Sequence, residues 1–295
     1  MRDRPLLAAV LGALVIAFSA ILVRLAEVSP ATAAFFRCAY ALPLLGLLAW
    51  NEQRRHGPRQ RRDRLLALGA GVFFAVDLIC WHYSIKAVGA GLATVLGNIQ
   101  VVLVAVIAWA ILGERLSGRT VAAIPIVFAG VVLISGVVGS GAYGSNPALG
   151  VVYGVATAIA YAGFILVLRQ AGGDLRQPAG PLFDATLSAA VFSAIGGIAI
   201  GDIDWTPGPE SQAWLVLLAL SSQVLGWLLI SVSLPRLPAA ITSIVLMLQP
   251  MTTVLLGAVL LSEKPSAVQL SGVLVVLAGV AFATIGARPR ELEPA

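Results

Sequence analysis

The sequence is poor in what water-exposed chemistry is usually built from: of 295 residues 11% are charged, two are cysteine and two histidine. Cys38 and Cys80 fall inside apolar stretches, which leaves no disulfide framework and no thiol nucleophile to defend, and two histidines are too few for a metal-ligand constellation. No glycine-rich phosphate-cradling loop of the Walker type occurs, so the chain does not consume ATP itself, and no cofactor is implied. The one acid-rich connection, with Asp202, Asp204 and Glu210, reads as a solvated loop. A membrane-embedded enzyme acting on lipid-like substrates, the rival reading, would need clustered acids or histidines at a membrane surface, so the chain is read as non-enzymatic.

What is abundant is apolar surface. Hydrophobic residues make up 59% of the chain and the mean hydropathy is +0.95, a composition whose solvent is the bilayer. Ten apolar stretches are long enough to cross about 30 Å of hydrocarbon as helices: Pro5 to Leu25, Pro30 to Trp50, Leu65 to Ile85, Gly91 to Leu112, Thr120 to Val138, Ala148 to Leu168, Pro181 to Gly201, Ala213 to Ser233, Ala239 to Leu261 and Ala267 to Gly286. The runs are continuous rather than alternating in polarity, which favours helices over barrel strands. The first stretch has the flanks of a signal peptide, but its apolar core is too long and nine more follow, so it is read as a span.

A repeat organises these spans. Gln100 to Ser135 recurs without a gap at Gln249 to Thr284, placing Leu112 on Leu261, Glu114 on Glu263, Ser117 on Ser266 and Gly130 on Gly279. Five spans per half is an odd number, so the second half must enter the membrane from the opposite side. The expected fold is an all-α membrane protein of ten helices in two inverted five-helix repeats, residues 1–138 and 139–295. Basic residues set the orientation. The termini and the connections on one side carry the arginines from Arg54 to Arg64 together with Arg2, Arg4, Arg115, Arg119, Arg169, Arg176, Arg236, Arg288 and Arg290, whereas Arg24, Lys86 and Lys264 fall on the other. Both termini are therefore expected in the cytoplasm. The net charge of +5 is this rim, which argues for contact with anionic lipid headgroups and not with nucleic acid. Inverted repeats with polar groups at mid-membrane are a recurring design of secondary transporters, although duplicated helices also pack well for their own sake.

Several stretches resemble a known family. Leu237-Pro-Ala-Ala-Ile-Thr-Ser-Ile-Val-Leu-Met-Leu-Gln249-Pro250, Leu260-Leu-Ser-Glu263-Lys-Pro-Ser-Ala-Val-Gln269-Leu-Ser-Gly272 and Leu277-Ala-Gly279-Val are similar to the repeat of the drug/metabolite transporter superfamily, in its EamA branch. Gly89-Ala-Gly-Leu-Ala-Thr94, Gly113-Glu114-Arg-Leu-Ser-Gly and Ala129-Gly130-Val match it more loosely in the first half, and Arg37 stands in the second span where the family commonly has an arginine. The resemblance covers nearly the whole chain. It implies export or exchange of small metabolites, drugs among the alternatives, and the bacterial YddG-type aromatic amino-acid exporters belong to this group. The first half departs from the pattern, with Val101 where the family often has proline and the second half has Pro250.

Polar residues inside spans are costly and mark a cavity or a partner. Asp77 shares a helical face with Phe74, Trp81 and Ser84; beside aromatic rings it would bind a substrate amine or carry a coupled proton, and the plain alternative is a neutral carboxyl bonded to a neighbouring helix. Trp81 and Tyr83 read either as cavity wall or, with His82, as an interfacial aromatic belt. Arg37 reads as a carboxylate clamp or as a side chain snorkelling to the surface. Asp184 aligns with Arg37 across the repeat but lies near the arginine-rich side, where a gate or interface role fits better. Asn98, Gln100, Ser222, Gln223 and Gln249 are either interhelical glue or a polar lining at mid-membrane, and Tyr161 and Trp227 either its walls or core filler. Pro250 leaves the carbonyl of Leu246 without its helical donor and is a candidate hinge. Glu114 and Glu263 are read as closing their hairpins, with Ser117 and Ser266 capping the helices that follow. The pairs Gly150/Gly154 and Gly197/Gly201 allow close packing, within a monomer or in a homodimer.

The expected protein is a secondary transporter of the bacterial inner membrane that exports small metabolites by alternating access. Amino acids, aromatic or hydrophobic ones favoured, are its expected cargo, and protons a candidate coupling ion.

Overall fold

The computed structural model describes residues 4–171, 176–233, 236–237 and 239–284. Arg2, Arg288 and Arg290, counted in the charge asymmetry, lie outside these. Ten helical rods account for the architecture: α1 (Pro5–Leu25), α2 (Pro30–His56), α3 (Arg61–Val88), α4 (Ala90–Leu112), α5 (Gly118–Ile134), α6 (Pro147–Gln170), α7 (Ala179–Ile200), α8 (Pro209–Ser233), α9 (Ala239–Leu260) and α10 (Ala267–Thr284). There is no strand among the described residues.

The helix limits follow from local chemistry. Proline occupies the first turn of α1, α2, α6 and α8, where its missing N–H costs no hydrogen bond. The side chains of Ser29, Ser117, Asn146 and Ser266 accept backbone N–H groups at the starts of α2, α5, α6 and α10. Both expected serine caps are thus in place. Gly113 and Gly201 take the left-handed conformation just after α4 and α7. Where the apolar runs put helix ends at Trp50 and Leu65, α2 runs on to His56 and α3 starts at Arg61, because the flanking charged residues are good helix formers. Conversely α5 stops at Ile134, short of the expected Val138, since Gly136 at φ 74° turns the chain.

The packing is symmetric under exchange of the halves. α3 packs on α6 as α8 does on α1; α4 packs on α6 as α9 does on α1; α3 meets α7 as α8 meets α2. The pairs α2–α7, α4–α9 and α5–α10 lie across the axis of exchange. The interfaces are lined by small residues that let backbones approach: a Cβ on Gly154 would come within 2.6 Å of Leu96 Cβ, and one on Gly130 within 2.9 Å of the Gly272 carbonyl. Gly150 and Gly154 therefore serve packing inside the monomer. Large apolar side chains face outward instead, Ile111 75% and Leu274 69% exposed, a surface suited to acyl chains and not to water.

Three helices are irregular. α1 is interrupted at Phe18 and α4 at Asn98 and Ile99, with ψ between −12° and −23°, as in a tightened turn. α8 contains a π-helical segment, Ala219–Gly226. α9 runs through Pro250 as one continuous helix. Gly154→Val should drive a branched side chain into Leu96 and lower stability by about 1–3 kcal/mol, read as a fall in the melting temperature of the detergent-solubilised protein.

Candidate functional site

The irregular turns surround a cavity of about 380 Å³ at the seam between the halves. Its wall takes Ile16 and Ser19 from α1, Arg37 from α2, Phe74, Asp77, Leu78 and Trp81 from α3, and Thr94, Gly97, Asn98, Gln100, Val101 and Val104 from α4. The second half contributes Thr157, Tyr161 and Ile165 from α6, Trp227 and Ile230 from α8, and Leu246 and Gln249 from α9.

Two formal charges lie on this wall, Arg37 and Asp77, both buried. They do not form a contact ion pair; the guanidinium carbon of Arg37 sits 5.8 Å from the Trp81 ring centroid, over an aromatic face that attracts it. Its Nε and Nη1 have no hydrogen-bond partner. Arg37 therefore does not snorkel to the surface, as one reading of its position allowed, but keeps a buried guanidinium with two nitrogens unpaired beside the cavity. Around the charges stand the amides of Asn98, Gln100 and Gln249. A cluster of rings forms the apolar part: Phe74 stacks on Phe164 at 4.7 Å, Tyr161 on Phe164 at 5.7 Å, and Trp227 meets all three edge-on at 5.6–6.2 Å. Such a site offers one anion contact, one cation contact, hydrogen bonds and an aromatic slot.

Profile comparison places a sequence model described as the EamA-like transporter family on residues 4–136 and 148–285. The chain belongs to the EamA-like transporter family. It is a multi-pass membrane protein and a transporter by membership. It is 24% identical over 261 residues to an uncharacterized transporter, YxxF, of Bacillus subtilis (strain 168), an alignment covering 85% of this chain and 80% of that one. A solved crystal structure shares the fold with a TM-score of 0.62 at 18% identity, covering 96% of this chain and 97% of the other.

Within this EamA-like chain the cavity brings together Arg37, Asp77, Trp81, Asn98, Gln100, Tyr161, Trp227 and Gln249. Both glutamine-bearing helices turn these side chains inward. Tyr83, Ser222 and Gln223 lie elsewhere. Tyr83 is one turn beyond the cavity, stacked on Tyr153 at 5.0 Å and facing Asp202. The π-helical segment of α8 turns Ser222 toward α1, where it donates to the Val15 carbonyl, and Gln223 toward α7, where its amide donates to Thr186 Oγ1 at 3.1 Å. Both act as glue between helices. Asp184 is also outside the cavity: it accepts from Arg59 at 2.8 Å with Arg64 at 3.7 Å, tying α7 to the α2–α3 connection and to the first turn of α3. Pro250 is buried in α9, and Leu246, whose carbonyl it leaves free, is on the cavity wall.

Sequence reasoning missed Ser19 and Thr157. Ser19 follows the break in α1 that no proline or glycine announces, and its buried hydroxyl has no partner. Thr157 donates to the Asp77 carbonyl at 3.2 Å, fixing the backbone that presents the carboxyl. Reading Glu263 as a brace of its own hairpin also needs correction. Its carboxylate crosses to the other half, accepting from Ala90 N–H at 2.6 Å and Gly91 N–H at 3.1 Å. Thr186→Val should strand the buried Gln223 amide and cost about 1–3 kcal/mol of stability. Ligand affinity of the folded variant, measured by calorimetry, should stay unchanged, in keeping with a packing role.

Proposed function

We propose that the protein exports amino acids, those with aromatic or hydrophobic side chains foremost, across the bacterial cytoplasmic membrane by alternating access, with both termini in the cytoplasm. The observation that carries this reading is the pairing of Arg37 and Asp77 on one wall, held apart and facing a ring-lined slot. A zwitterion fits the two charges: its carboxylate takes the guanidinium that lacks a partner, its ammonium the carboxyl, and Asn98, Gln100 and Gln249 bond what remains. Phe74, Tyr161 and Trp227 then meet the side chain. The volume lies within the range of about 300–1,000 Å³ usual for small-molecule pockets.

Proton coupling follows from the same pair. Asp77 is the carboxyl on this wall; a proton taken up there when the cavity empties and released when an ammonium arrives couples export to the proton gradient. Anionic headgroups bind the arginine rim.

Reconstituted into liposomes, the protein should release labelled tryptophan, phenylalanine or leucine faster under an imposed pH gradient. Asp77→Asn should leave exchange without that dependence; an unchanged pH response removes the coupling. Arg37→Lys, which keeps the charge but loses the fork, should weaken amino-acid binding by about 10-fold or more. Efflux of hydrophobic cations with no movement of amino acids replaces this reading by drug export.

A further inference from the structure

Glu263 is more buried than a hairpin carboxylate in a connection has reason to be. It is 4% exposed, and no cation is paired with it among the described residues. What compensates its charge is the start of α4: two backbone N–H groups, of Ala90 and Gly91, donate to its two oxygens, one to each. A helix start presents unpaired N–H groups and the positive end of the backbone dipole, so a carboxylate seated there is held by charge-assisted bonds in a place shielded from water.

The seat is built on both sides by glycine. A Cβ on Gly89, which has φ 93°, would meet Glu263 Oε1 at 2.9 Å, and one on Gly257 would meet Oε2 at 2.5 Å. Gly91 lets α4 approach α9 until a Cβ there would come within 2.9 Å of Val254 Cα. Glu263 thus fastens the α9–α10 connection of one half to the α4 helix of the other where α4 and α9 touch, at the end of the cavity away from the arginine rim. Around it the same end is tied down by Gln269, which accepts from Tyr143 N–H at 2.7 Å and donates to its carbonyl. Burial and the nearby Glu263 carboxylate push the Tyr143 phenol up from its ordinary range. From its contact with α9, α4 leads directly into Thr94, Gly97, Asn98 and Gln100 of the cavity wall.

We propose that Glu263 is a gating residue for transport: its grip on the first turn of α4 bolts the Lys264 end of the cavity, and this end opens when the carboxylate leaves that turn. The inference rests on the alternating-access reading above, but its test does not need a substrate. A single reporter, Val101→Cys on the cavity wall, is placed in a Cys38→Ala, Cys80→Ala background. It is challenged with a membrane-impermeant maleimide from either face of vesicles, whose sidedness is fixed by Lys264→Cys and Arg61→Cys markers.

Glu263→Gln, which replaces one acceptor oxygen by a donor facing an N–H, should raise the labelling rate from the Lys264 face on the order of tenfold. Gly257→Ala, which crowds the carboxylate without removing its charge, should act in the same direction. Glu114→Gln, in the repeat counterpart that pairs with Arg169 at the other end, should leave labelling from the Lys264 face as it was. Unchanged labelling in both Glu263→Gln and Gly257→Ala, in protein that still elutes as a folded species, overturns the proposal, as does an equal rise in Glu114→Gln. Absence of amino-acid efflux with the labelling shift intact refutes the cargo and leaves the gate standing.

Discussion

A polar group placed in hydrocarbon has no water to turn to, so the protein itself must supply a partner or a wet space for it. That constraint shapes this molecule more than any single contact. Many of its described intramembrane polar residues are either answered by another helix or gathered on one cavity. Gln223 is answered by Thr186, Ser84 by the Gly150 carbonyl and Thr253 by the Ala17 carbonyl. Arg37, Asp77, Asn98, Gln100 and Gln249 collect at the seam of the two halves. A gene duplication that inverts its second copy creates that seam, because equivalent residues of the two copies arrive there from opposite sides.

The breaks in α1 and α4 border the same region. The break in α1 frees carbonyls that the hydroxyls of Ser222 and Thr253 take up, from α8 and α9 respectively. The break in α4 falls beside Asn98, whose own amide returns to the Thr94 carbonyl at 3.0 Å. Backbone that leaves the helical ladder inside a bilayer survives where protein or a cavity receives it, and here both do. Proline is a poor guide to such places in this chain: Pro250 sits in a continuous helix, whereas the breaks at Phe18 and at Asn98 and Ile99 contain none.

The same contrast explains what the sequence discloses. Hydropathy runs carry the ten helices, and the repeat carries their inversion, because both are properties of long segments that tertiary packing does not alter. Gln100 and Gln249 could be placed at one site for the same reason, since a repeat fixes depth and face together. Ser222 and Gln223 could not: a π turn of eight residues shifts the phase of α8, moving two side chains off the face that a regular helix would give them and leaving Trp227 on it. Asp184 takes its closer partner, Arg59, from a connection whose course no periodicity describes, and its second, Arg64, from the first turn of α3. Glu263 was the hardest case. Its repeat identity with Glu114 suggested a duty local to each hairpin, and only the fold brings the N-terminus of α4 under it.

The two kinds of helix end in this structure do different work, and the difference bears on motion. At the arginine-rich end Glu52 accepts the N–H groups of Ala179 and Gly180, starting α7, while at the other end Asp202 accepts that of Ala31, near the start of α2. The α2–α7 pair is thus pinned at both ends by carboxylates that reach across the halves, with Arg59 and Asp184 adding an ion pair at one of them. Arg37 rides on this pinned pair. Asp77 rides on α3, which packs on α6 and α7. The two charges are therefore carried by elements held against one another, whereas the amides of Asn98, Gln100 and Gln249 are carried by α4 and α9, a pair joined through the first turns of α4. A rearrangement that parts α4 from α9 would leave Arg37 and Asp77 in place and withdraw the amides, so that the zwitterion proposed above as cargo would keep its two ends anchored while one side of its surroundings moves.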